Sequence, residues 1–290
     1  MHQKNQSQTI SSMKKKTWFV TGASKGLGLS LVKTLLAEDY PVAATSRALG
    51  ELQTAVGATS ANFLPLSVNL TDEKSVATAI DETIKRFGSI DVVVNNAGYG
   101  LAGALEELSD AEARANFDIN VFGSLNVIRQ VLPHLRKQMS GHIFNIASIG
   151  GFTGGFPGFG IYCATKFAVH GFSESLAEEV KAFGIRVTVV SPGYFRTNFL
   201  DAASLNVPSH PIEDYKSVRE VQSVHQNNYN GNQPGDPDKA SAALIQVAEG
   251  KDALLHLFLG PDAYALAEQK MRAVQNDMDA IRETATATNI

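Results

Sequence analysis

The stretch GIYCATKF at residues 160–167 places Tyr162 and Lys166 four residues apart among small and apolar neighbours. In a helix this spacing puts both side chains on one face, one turn apart. A free tyrosine has a pKa of about 10, which is too high for efficient proton transfer at neutral pH. Because a neighbouring ammonium stabilises the phenolate, we predict that Lys166 lowers the pKa of Tyr162 and makes it a catalytic acid or base.

The elements around this pair follow an alternating pattern. Short apolar runs alternate with longer segments of helical periodicity, which is typical of βαβ units and a parallel sheet. The predicted strands are 17–22, 41–46, 61–70, 90–96, 141–148, 185–191 and 254–260, and the predicted helices are 27–39, one opening at Thr71, 110–137, 158–183, 237–249 and 262–284. We therefore predict an α/β fold with a single doubly wound, Rossmann-type domain, whose seven-stranded parallel sheet is flanked by helices.

The chain divides into a short arm and one domain. Residues 1–14 are polar and lack an apolar core segment, so we predict a disordered arm rather than a signal peptide. Residues 15–290 form the predicted catalytic domain. Within it, 194–236 is rich in Asn, Ser and Gln and is predicted to be an irregular substrate-binding insertion. Residues 261–285 are predicted to form a C-terminal helix.

Composition excludes several classes of protein. The net charge is −4 without a basic stripe, which argues against nucleic-acid binding. No apolar run reaches the length of a membrane-spanning helix, so no membrane association is expected. The single cysteine, Cys163, rules out an internal disulfide and favours a cytoplasmic location. The seven histidines have no zinc-like spacing, so no metal is expected.

A glycine-rich segment, TGASKGLG at 21–28, follows the first predicted strand and opens the first helix. Glycines let the backbone approach a pyrophosphate, and a helix N-terminus offers N–H donors to it. The same residues also suit a tight βα turn without a ligand. Its place at the first βα turn favours dinucleotide binding.

Further motifs follow in a fixed order. They are N-N-A-G at 95–98, Asn120, Ser148 at the end of a strand, Y-x-x-x-K at 162–166 and P-G at 192–193. With T-G-x-x-x-G-x-G they give a chain that resembles the short-chain dehydrogenase/reductase family from about residue 16 to residue 260. The C-terminal LFLGPDAYALAEQKM is similar to the branch of 17β-hydroxysteroid-dehydrogenase-like and retinol-dehydrogenase-like carbonyl reductases.

The resemblance implies four catalytic roles. Tyr162 protonates the carbonyl oxygen as hydride arrives, and Lys166 lowers its pKa and holds the nicotinamide ribose. Ser148 hydrogen-bonds the substrate oxygen, and Asn120 holds a water that links Lys166 to a proton relay. Taken singly, each side chain also has an ordinary structural explanation, as a cap, a buried amide or a half-buried helix residue.

The end of the second strand bears on the cofactor. Arg47 follows Ser46 there, and the first acid is Glu51, so the carboxylate that binds the ribose of NAD is missing. Arg47 and Lys25 suit a 2′-phosphate, which favours NADP(H) over NAD(H). Asn69 replaces the family's adenine-contacting Asp. The predicted cofactor residues are Gly22, Ser24, Lys25, Gly26, Leu27, Gly28, Ser46, Arg47, Asn69, Leu70, Asn96, Ala97, Gly98, Tyr162, Lys166, Pro192, Gly193, Phe195 and Thr197.

Aromatic residues dominate the segments that wall the family's substrate pocket. The predicted substrate residues are Tyr99, Phe152, Phe156, Phe159, Phe199 and Leu200. As a set they favour a hydrophobic ketone or secondary alcohol, although any single Phe is more often core. Arg196 is the nearby charge that offers an alternative, a bound carboxylate.

The sequence thus predicts NADPH-dependent, reversible reduction of a hydrophobic or aromatic ketone or aldehyde. An NAD-dependent dehydrogenase working in the oxidative direction remains open, as does a non-catalytic module that senses NADP(H). An epimerase of the extended subgroup is disfavoured because its G-x-x-G-x-x-G loop and longer C-terminal domain are absent. The expected partner is a small carbonyl or alcohol substrate, and the resemblance implies a homo-oligomer, either a dimer or a tetramer.

Overall fold

A parallel sheet of seven strands forms the centre of the molecule. The computed structural model describes residues 15–201, 204–252 and 254–290. The strands are β1 (Trp18–Val20), β2 (Val42–Ser46), β3 (Phe63–Ser67), β4 (Val92–Asn95), β5 (Gly100–Leu101), β6 (Gly141–Ile146), β7 (Ile185–Pro192), β8 (Leu205–Asn206) and β9 (His256–Leu259). The main sheet has the order β3-β2-β1-β4-β6-β7-β9, and β5 pairs with β8 separately. The predicted seven-stranded doubly wound sheet is confirmed.

Helices cover both faces of this sheet. They are α1 (Gly26–Ala37), α2 (Leu49–Val56), α3 (Glu73–Phe87), α4 (Asp110–Phe117), α5 (Gly123–Gln138), α6 (Gly160–Val180), α7 (Lys216–Ser223), α8 (Pro237–Glu249) and α9 (Pro261–Thr286). Side chains of α1, α2 and α8 enter one core, and side chains of α3, α5 and α6 enter the other. No helix in the described ranges is long and apolar enough to cross a membrane.

Alternate strand residues supply these two cores. In β1, Trp18 and Val20 point into the core beneath α1 and α8, whereas Phe19 points into the core beneath α3 and α5. In β4, Val94 points into the core beneath α1 and α8, and Val93 points into the core beneath α3 and α5. Strands buried on both faces must be apolar at every position, which explains the uninterrupted runs in the sequence.

The strand order reverses between β1 and β4. The chain leaves β1 toward β2 on one side, and β4 lies on the other side. Such a switch point opens a crevice beyond the carboxyl ends of the strands, where doubly wound folds bind ligands. The glycine-rich segment at 21–28 and the N-N-A-G segment at 95–98 both lie at this crevice.

The structure corrects two predicted elements and adds a helix that the sequence analysis did not predict. The predicted helix 110–137 is α4 and α5 joined by a π-helical turn at Asp118–Phe122. The helix α2 was not predicted. The insertion 194–236, predicted to be irregular, contains α7 and a second π-helical segment at Val224–Tyr229. The predicted arm, 1–14, lies outside the described residues.

Candidate active site

The turn after β1 has the backbone that its glycines allow. Gly22 and Gly26 adopt positive φ angles of 65° and 61°, a region that residues with a Cβ rarely adopt. A Cβ on Gly22 would lie 2.7 Å from the Cα of Ala97, so the turn packs directly on the segment after β4. The two segments therefore form one surface.

Asn96 fixes this surface from the neighbouring strand. Its Nδ2 donates to the carbonyl oxygens of Thr21 and Gly22 at 2.9 and 3.0 Å. The Thr21 hydroxyl oxygen accepts from the backbone N–H groups of Asn96 and Ala97. A Cβ on Gly28 would lie 2.4 Å from Nδ2 of Asn96, so glycine is required there for this contact. Asn96 thus holds the glycine-rich turn in place.

The N-terminus of α1 opens into a cleft of about 1040 Å³. The capping residue Lys25 makes no side-chain hydrogen bond to the helix, and the first turn contains no acid. The backbone N–H groups at the start of α1 and the dipole of this helix therefore suit an anion such as a pyrophosphate. The residues present fit a dinucleotide at this end of the cleft.

Predicted cofactor residues mostly line the cleft. Those that do are Gly22, Ser24, Lys25, Gly26, Leu27, Ser46, Arg47, Leu70, Asn96, Ala97, Gly98, Tyr162, Lys166, Pro192, Gly193, Phe195 and Thr197. Gly28 lies behind the surface against Asn96. Asn69 does not line the cleft, and its side-chain oxygen accepts from the N–H and hydroxyl of Thr71.

Tyr162 and Lys166 lie at the other end of the same cleft, in the first two turns of α6. Both side chains are buried, with 8% and 4% of the residue exposed. Nζ of Lys166 lies 5.9 Å from the centre of the Tyr162 ring and donates to the carbonyl of Ile146 at 2.9 Å. Ser148, at the end of β6, lies within hydrogen-bonding reach of the Tyr162 hydroxyl.

Burial dominates the electrostatics of this pair. It raises the pKa of Tyr162 above its ordinary value, and the hydrogen bond from Ser148 lowers it only in part. The prediction that the pKa of Tyr162 is lowered is therefore wrong for this state of the site. Burial also lowers the pKa of Lys166 to about 8. Tyr162 consequently keeps its proton at neutral pH and is ready to act as an acid.

Asn120 lies behind the pair rather than in the cleft. Its Oδ1 accepts from the N–H of Tyr99 at 3.0 Å, and its Nδ2 donates to the Tyr99 carbonyl and to the Thr165 hydroxyl. The Thr165 hydroxyl in turn donates to the carbonyl of Tyr162 at 2.7 Å. The Asn120 side chain therefore ties the segment after β4 to the helix that carries Tyr162.

Gly98 allows these groups to converge. A Cβ there would lie 3.0 Å from Oδ1 of Asn120 and 3.4 Å from Nζ of Lys166. The four predicted catalytic residues thus come together from α6, the end of β6 and the π-helical turn before α5. They adjoin a cleft whose opposite end fits a dinucleotide.

Comparison with known proteins agrees with this arrangement. Residues 16–207 match the family model described as short chain dehydrogenase. The chain belongs to the short-chain dehydrogenase family. It is 35% identical over 274 residues to Oxidoreductase BOA17 of Botryotinia fuckeliana, covering 94% of this chain and 99% of that one.

Two further relatives extend the family comparison. Over 244 residues the chain is 36% identical to 3-ketodihydrosphingosine reductase of Bacteroides thetaiotaomicron, covering 83% of this chain and 87% of that one. The crystal structure of a short-chain dehydrogenase from Streptomyces avermitilis superposes with a TM-score of 0.86 at 34% identity, covering 94% of this chain and 100% of that one. The protein is therefore an oxidoreductase of this family.

The end of the cleft that holds Tyr162 is largely aromatic. Of the residues predicted to contact the substrate, Tyr99, Phe156, Phe159, Phe199 and Leu200 line the cleft. The rings of Tyr162 and Phe199 are 5.6 Å apart. Among the described residues, the charged side chains that line the cleft are those of Lys25, Arg47, Glu51, Asp118 and Lys166.

Two residues proposed for substrate contact lie elsewhere. Phe152 follows a 3₁₀ turn that directs its ring away from the cleft, where it packs against Phe258 at 5.2 Å and beside α9. Arg196 is exposed and its Nε donates to the carbonyl of Gln233, so it does not line the cleft. The alternative of a carboxylate held by Arg196 loses its support.

The insertion contributes residues that the sequence did not single out. Tyr194 and His225 line the cleft, and the Tyr194 hydroxyl donates to Nε2 of His225 at 2.9 Å. Nδ1 of His225 donates to the carbonyl of Val221, which fixes the ring. The ring of His225 lies 5.0 Å from Phe159. Only the position of Tyr194 directly after P-G was visible as a signal in the sequence.

One group of metal-binding residue types lies outside the cleft. His170, Glu174 and His256 offer atoms within 4.8 Å of one another, although sequence spacing predicted no metal site. Glu174 and His256 are exposed. Nε2 of His170 is already hydrogen-bonded to the Ser191 hydroxyl at 2.9 Å. The proposed reaction does not involve His170, Glu174 or His256.

Proposed function

We propose that this enzyme uses NADPH to reduce a hydrophobic or aromatic ketone or aldehyde to the alcohol. The observation that carries the proposal is one continuous cleft. Ser148, Tyr162, Lys166 and several aromatic side chains line one end, and Lys25 and Arg47 line the other. The reverse reaction, oxidation of the alcohol, follows from the same groups.

The residues act on the proton and on the orientation of the substrate. NADPH, when bound, supplies the hydride. The Ser148 hydroxyl donates a hydrogen bond to the carbonyl oxygen and orients it toward Tyr162. The Tyr162 hydroxyl donates its proton to that oxygen as negative charge develops there. The ammonium of Lys166 stabilises the resulting phenolate, and the surrounding apolar side chains exclude water and strengthen this interaction.

Three groups of residues suit the parts of NADPH. The N–H groups at the start of α1 suit the pyrophosphate. Lys25 and Arg47 suit the 2′-phosphate, because both are cations and the guanidinium of Arg47 can bind phosphate in a bidentate manner. Lys166 suits the nicotinamide ribose, and Thr197 suits the carboxamide. Glu51 also lines this end of the cleft, so the preference for NADPH rests on two cations against one acid.

The substrate class follows from the lining. A mainly aromatic wall favours an apolar carbonyl compound, because such a lining stabilises a charged group poorly. The relative named 3-ketodihydrosphingosine reductase has a keto compound in its name, which supports a ketone here.

The substitution Tyr162→Phe tests the proposal. It removes the proton donor and keeps the ring, so we expect NADPH oxidation with a panel of aryl ketones to fall by about 10²–10⁴-fold. Binding of NADPH, measured by its fluorescence, should persist. Tyr40→Phe is the control, because this tyrosine is buried in the core beneath α1, away from the cleft. Unchanged turnover by Tyr162→Phe would rule out Tyr162 as the acid.

If the protein were a non-catalytic NADP(H)-binding module, the same assay would give a different result. Such a protein would bind NADPH and show no oxidation with any ketone of the panel, in the wild type as in the variant. The half-buried Ser148 and the buried Tyr162 and Lys166 favour the enzyme, because binding alone needs no proton donor beside the nicotinamide end of the cleft.

A further inference from the structure

The C-terminal helix α9 leaves the domain after two turns. Ala263 and Ala267 are buried against Ile149, Phe152 and Phe258. From residue 268 onward every residue is exposed. At 1.5 Å per residue, the part from 268 to 286, here called the α9 extension, is about 28 Å long. An isolated helix of this length is marginal in water unless one face is buried.

An apolar seam follows the α9 extension. Met271, Val274, Met278 and Ile281 are 53%, 41%, 54% and 58% exposed. Their spacing of three, four and three residues is that of the a and d positions of a coiled coil. The seam continues the line of Ala267, so the face that packs on the domain is the face left open beyond it.

We propose that the α9 extension pairs with the α9 extension of a second copy of this chain, in antiparallel orientation. The orientation follows from the position of the domain. At residues 261–267 the domain already occupies the seam side of α9. A parallel partner would bring a second domain to that place, whereas an antiparallel partner puts the two domains at opposite ends.

Burial also sets the register. Because Ala267 is covered, the seam begins at Met271, and a two-fold axis near residue 276 pairs all four exposed apolar side chains. Met271 then lies opposite Ile281 of the second copy, and Val274 lies opposite its Met278. On one flank Glu268 faces Arg282 of the second copy, and the two-fold axis repeats this pair of opposite charges.

The charge of the α9 extension argues against a lipid surface as the occupant. Residues 268–283 contain four acids and three bases. Helices that lie on anionic membranes carry an excess of Lys and Arg on their polar face. The polar face here has both signs interspersed, which suits a protein partner that carries the same pattern.

The first experiment measures the mass of the full-length protein by sedimentation. In the double variant Met271→Asp and Met278→Asp, we expect the mass to fall to half that of the wild type. The matched control, Gln269→Asp and Asn276→Asp, adds the same charge on the opposite face and should keep the wild-type mass. Equal masses for the two variants, or a monomeric wild type at every concentration, would overturn the proposal.

Two further measurements test the antiparallel axis. Asp277 meets its own counterpart close to this axis, so Asp277→Asn removes a like-charge contact and should tighten the dimer about two- to fivefold. A cysteine introduced by Gln275→Cys also lies near the axis and should be linked to a second copy by a short bismaleimide, whereas Asn276→Cys should not. Weakening by Asp277→Asn, or equal linking of both cysteines, would contradict this register.

A vesicle assay tests the remaining alternative, in which a lipid surface covers the α9 extension. Full-length protein is sedimented with vesicles that contain anionic phospholipid. We expect the wild type to stay in the supernatant as the dimer. Two results together would identify a lipid surface instead and overturn the proposal. The wild type would bind to the vesicles and the double variant Met271→Asp and Met278→Asp would not, and the wild type would be a monomer when no vesicles are present.

Discussion

Lys166 is an ammonium in surroundings that disfavour its charge. Its side chain is buried, and the carbonyl of Ile146 accepts from one of its three N–H donors. Burial holds its pKa at about 8, below the ordinary value for lysine. The charge that we propose to stabilise the Tyr162 phenolate is therefore present at neutral pH and lost at moderately alkaline pH.

This pKa predicts the pH profile of ketone reduction. As the pH rises through about 8, Lys166 loses its proton and the phenolate loses its stabilising charge. We expect kcat/KM for the ketone to be level below that pH and to fall about tenfold per pH unit above it. The measurement is NADPH oxidation across that range.

The variant Lys166→Arg provides the check on this assignment. A guanidinium stays charged at alkaline pH, so the fall should move to higher pH even where the absolute rate is lower. A fall at the same pH in both proteins would assign the titration to another group. Because Tyr162 has a raised pKa, it remains protonated throughout the range in which Lys166 titrates.

We expect the proposed preference for NADPH to depend most on Arg47. We expect Arg47→Asp to lower the ratio of kcat/KM for NADPH to that for NADH by about 10–100-fold, because charged hydrogen bonds to the 2′-phosphate are lost and a carboxylate can accept from the 2′-hydroxyl. Initial rates with both cofactors measure this ratio. Lys181→Asp makes the same charge change at an exposed site outside the cleft and should leave the ratio unchanged. An unaltered ratio in Arg47→Asp would refute the role of Arg47.

At the scale of elements, the insertion is fastened to the domain by a buried acid. The Glu107 carboxylate accepts from the N–H groups of Ala104 and Ile212 at 2.7 and 2.8 Å, and it pairs with Arg219 of α7. Burial alone would raise the pKa of Glu107, but these N–H groups and the guanidinium outweigh it and hold the pKa below its usual range. The Glu107 side chain thus helps to hold in place the helical segment that leads to His225 and Tyr229.

Removing this acid should loosen the insertion. Glu107→Ala leaves two N–H groups and a guanidinium without their acceptor, at a cost of about 2–3 kcal/mol. We expect KM for the ketone to rise and proteolytic cleavage between residues 207 and 216 to quicken, while NADPH binding is kept. Glu106→Ala removes a neighbouring acid that only pairs with the exposed Tyr215 hydroxyl, so it serves as the milder control. Equal proteolysis of both variants would count against the role of Glu107.

The sequence predicted the strands well and some other elements poorly, for physical reasons. Apolar runs such as 90–96 mark strands that are buried on both faces, and this pattern is local. By contrast, α2 begins at Leu49 after Ala48, which offers no side-chain cap, and α7 has only one buried residue, Val218, so neither shows the usual signals.

The residues of the candidate site were also predicted only in part. Most motif residues are recognisable in the sequence because they belong to a short fixed spacing after a strand or at the start of a helix, whereas Asn120 lies in a π-helical turn between two helices. Phe152 was misassigned because a 3₁₀ turn reverses its direction, and no local pattern shows that. The raised pKa of Tyr162 depends on burial, which only the assembled cleft determines.

At the scale of the whole molecule, the sole tryptophan lies where the two halves of the sheet meet. Trp18 of β1 is fully buried, edge-on to Tyr40 at 6.2 Å and stacked with Phe144 of β6 at 6.3 Å. Its core also includes residues from α1 and α8, which come from opposite ends of the chain. We propose that the chain from residue 15 onward unfolds as one domain.

Trp18 therefore reports on the unfolding of the entire sheet. We expect its emission and the far-UV circular dichroism to change together in a single transition in urea. Phe144→Leu should lower both midpoints equally, since it removes packing from the shared core at a cost of about 1–3 kcal/mol. NADPH at about 100 times its Kd should raise the free energy of unfolding by about 2.7 kcal/mol in both signals. Two separated transitions, with NADPH shifting only one, would show instead that the dinucleotide half of the sheet unfolds independently of the half that carries β7 and β9.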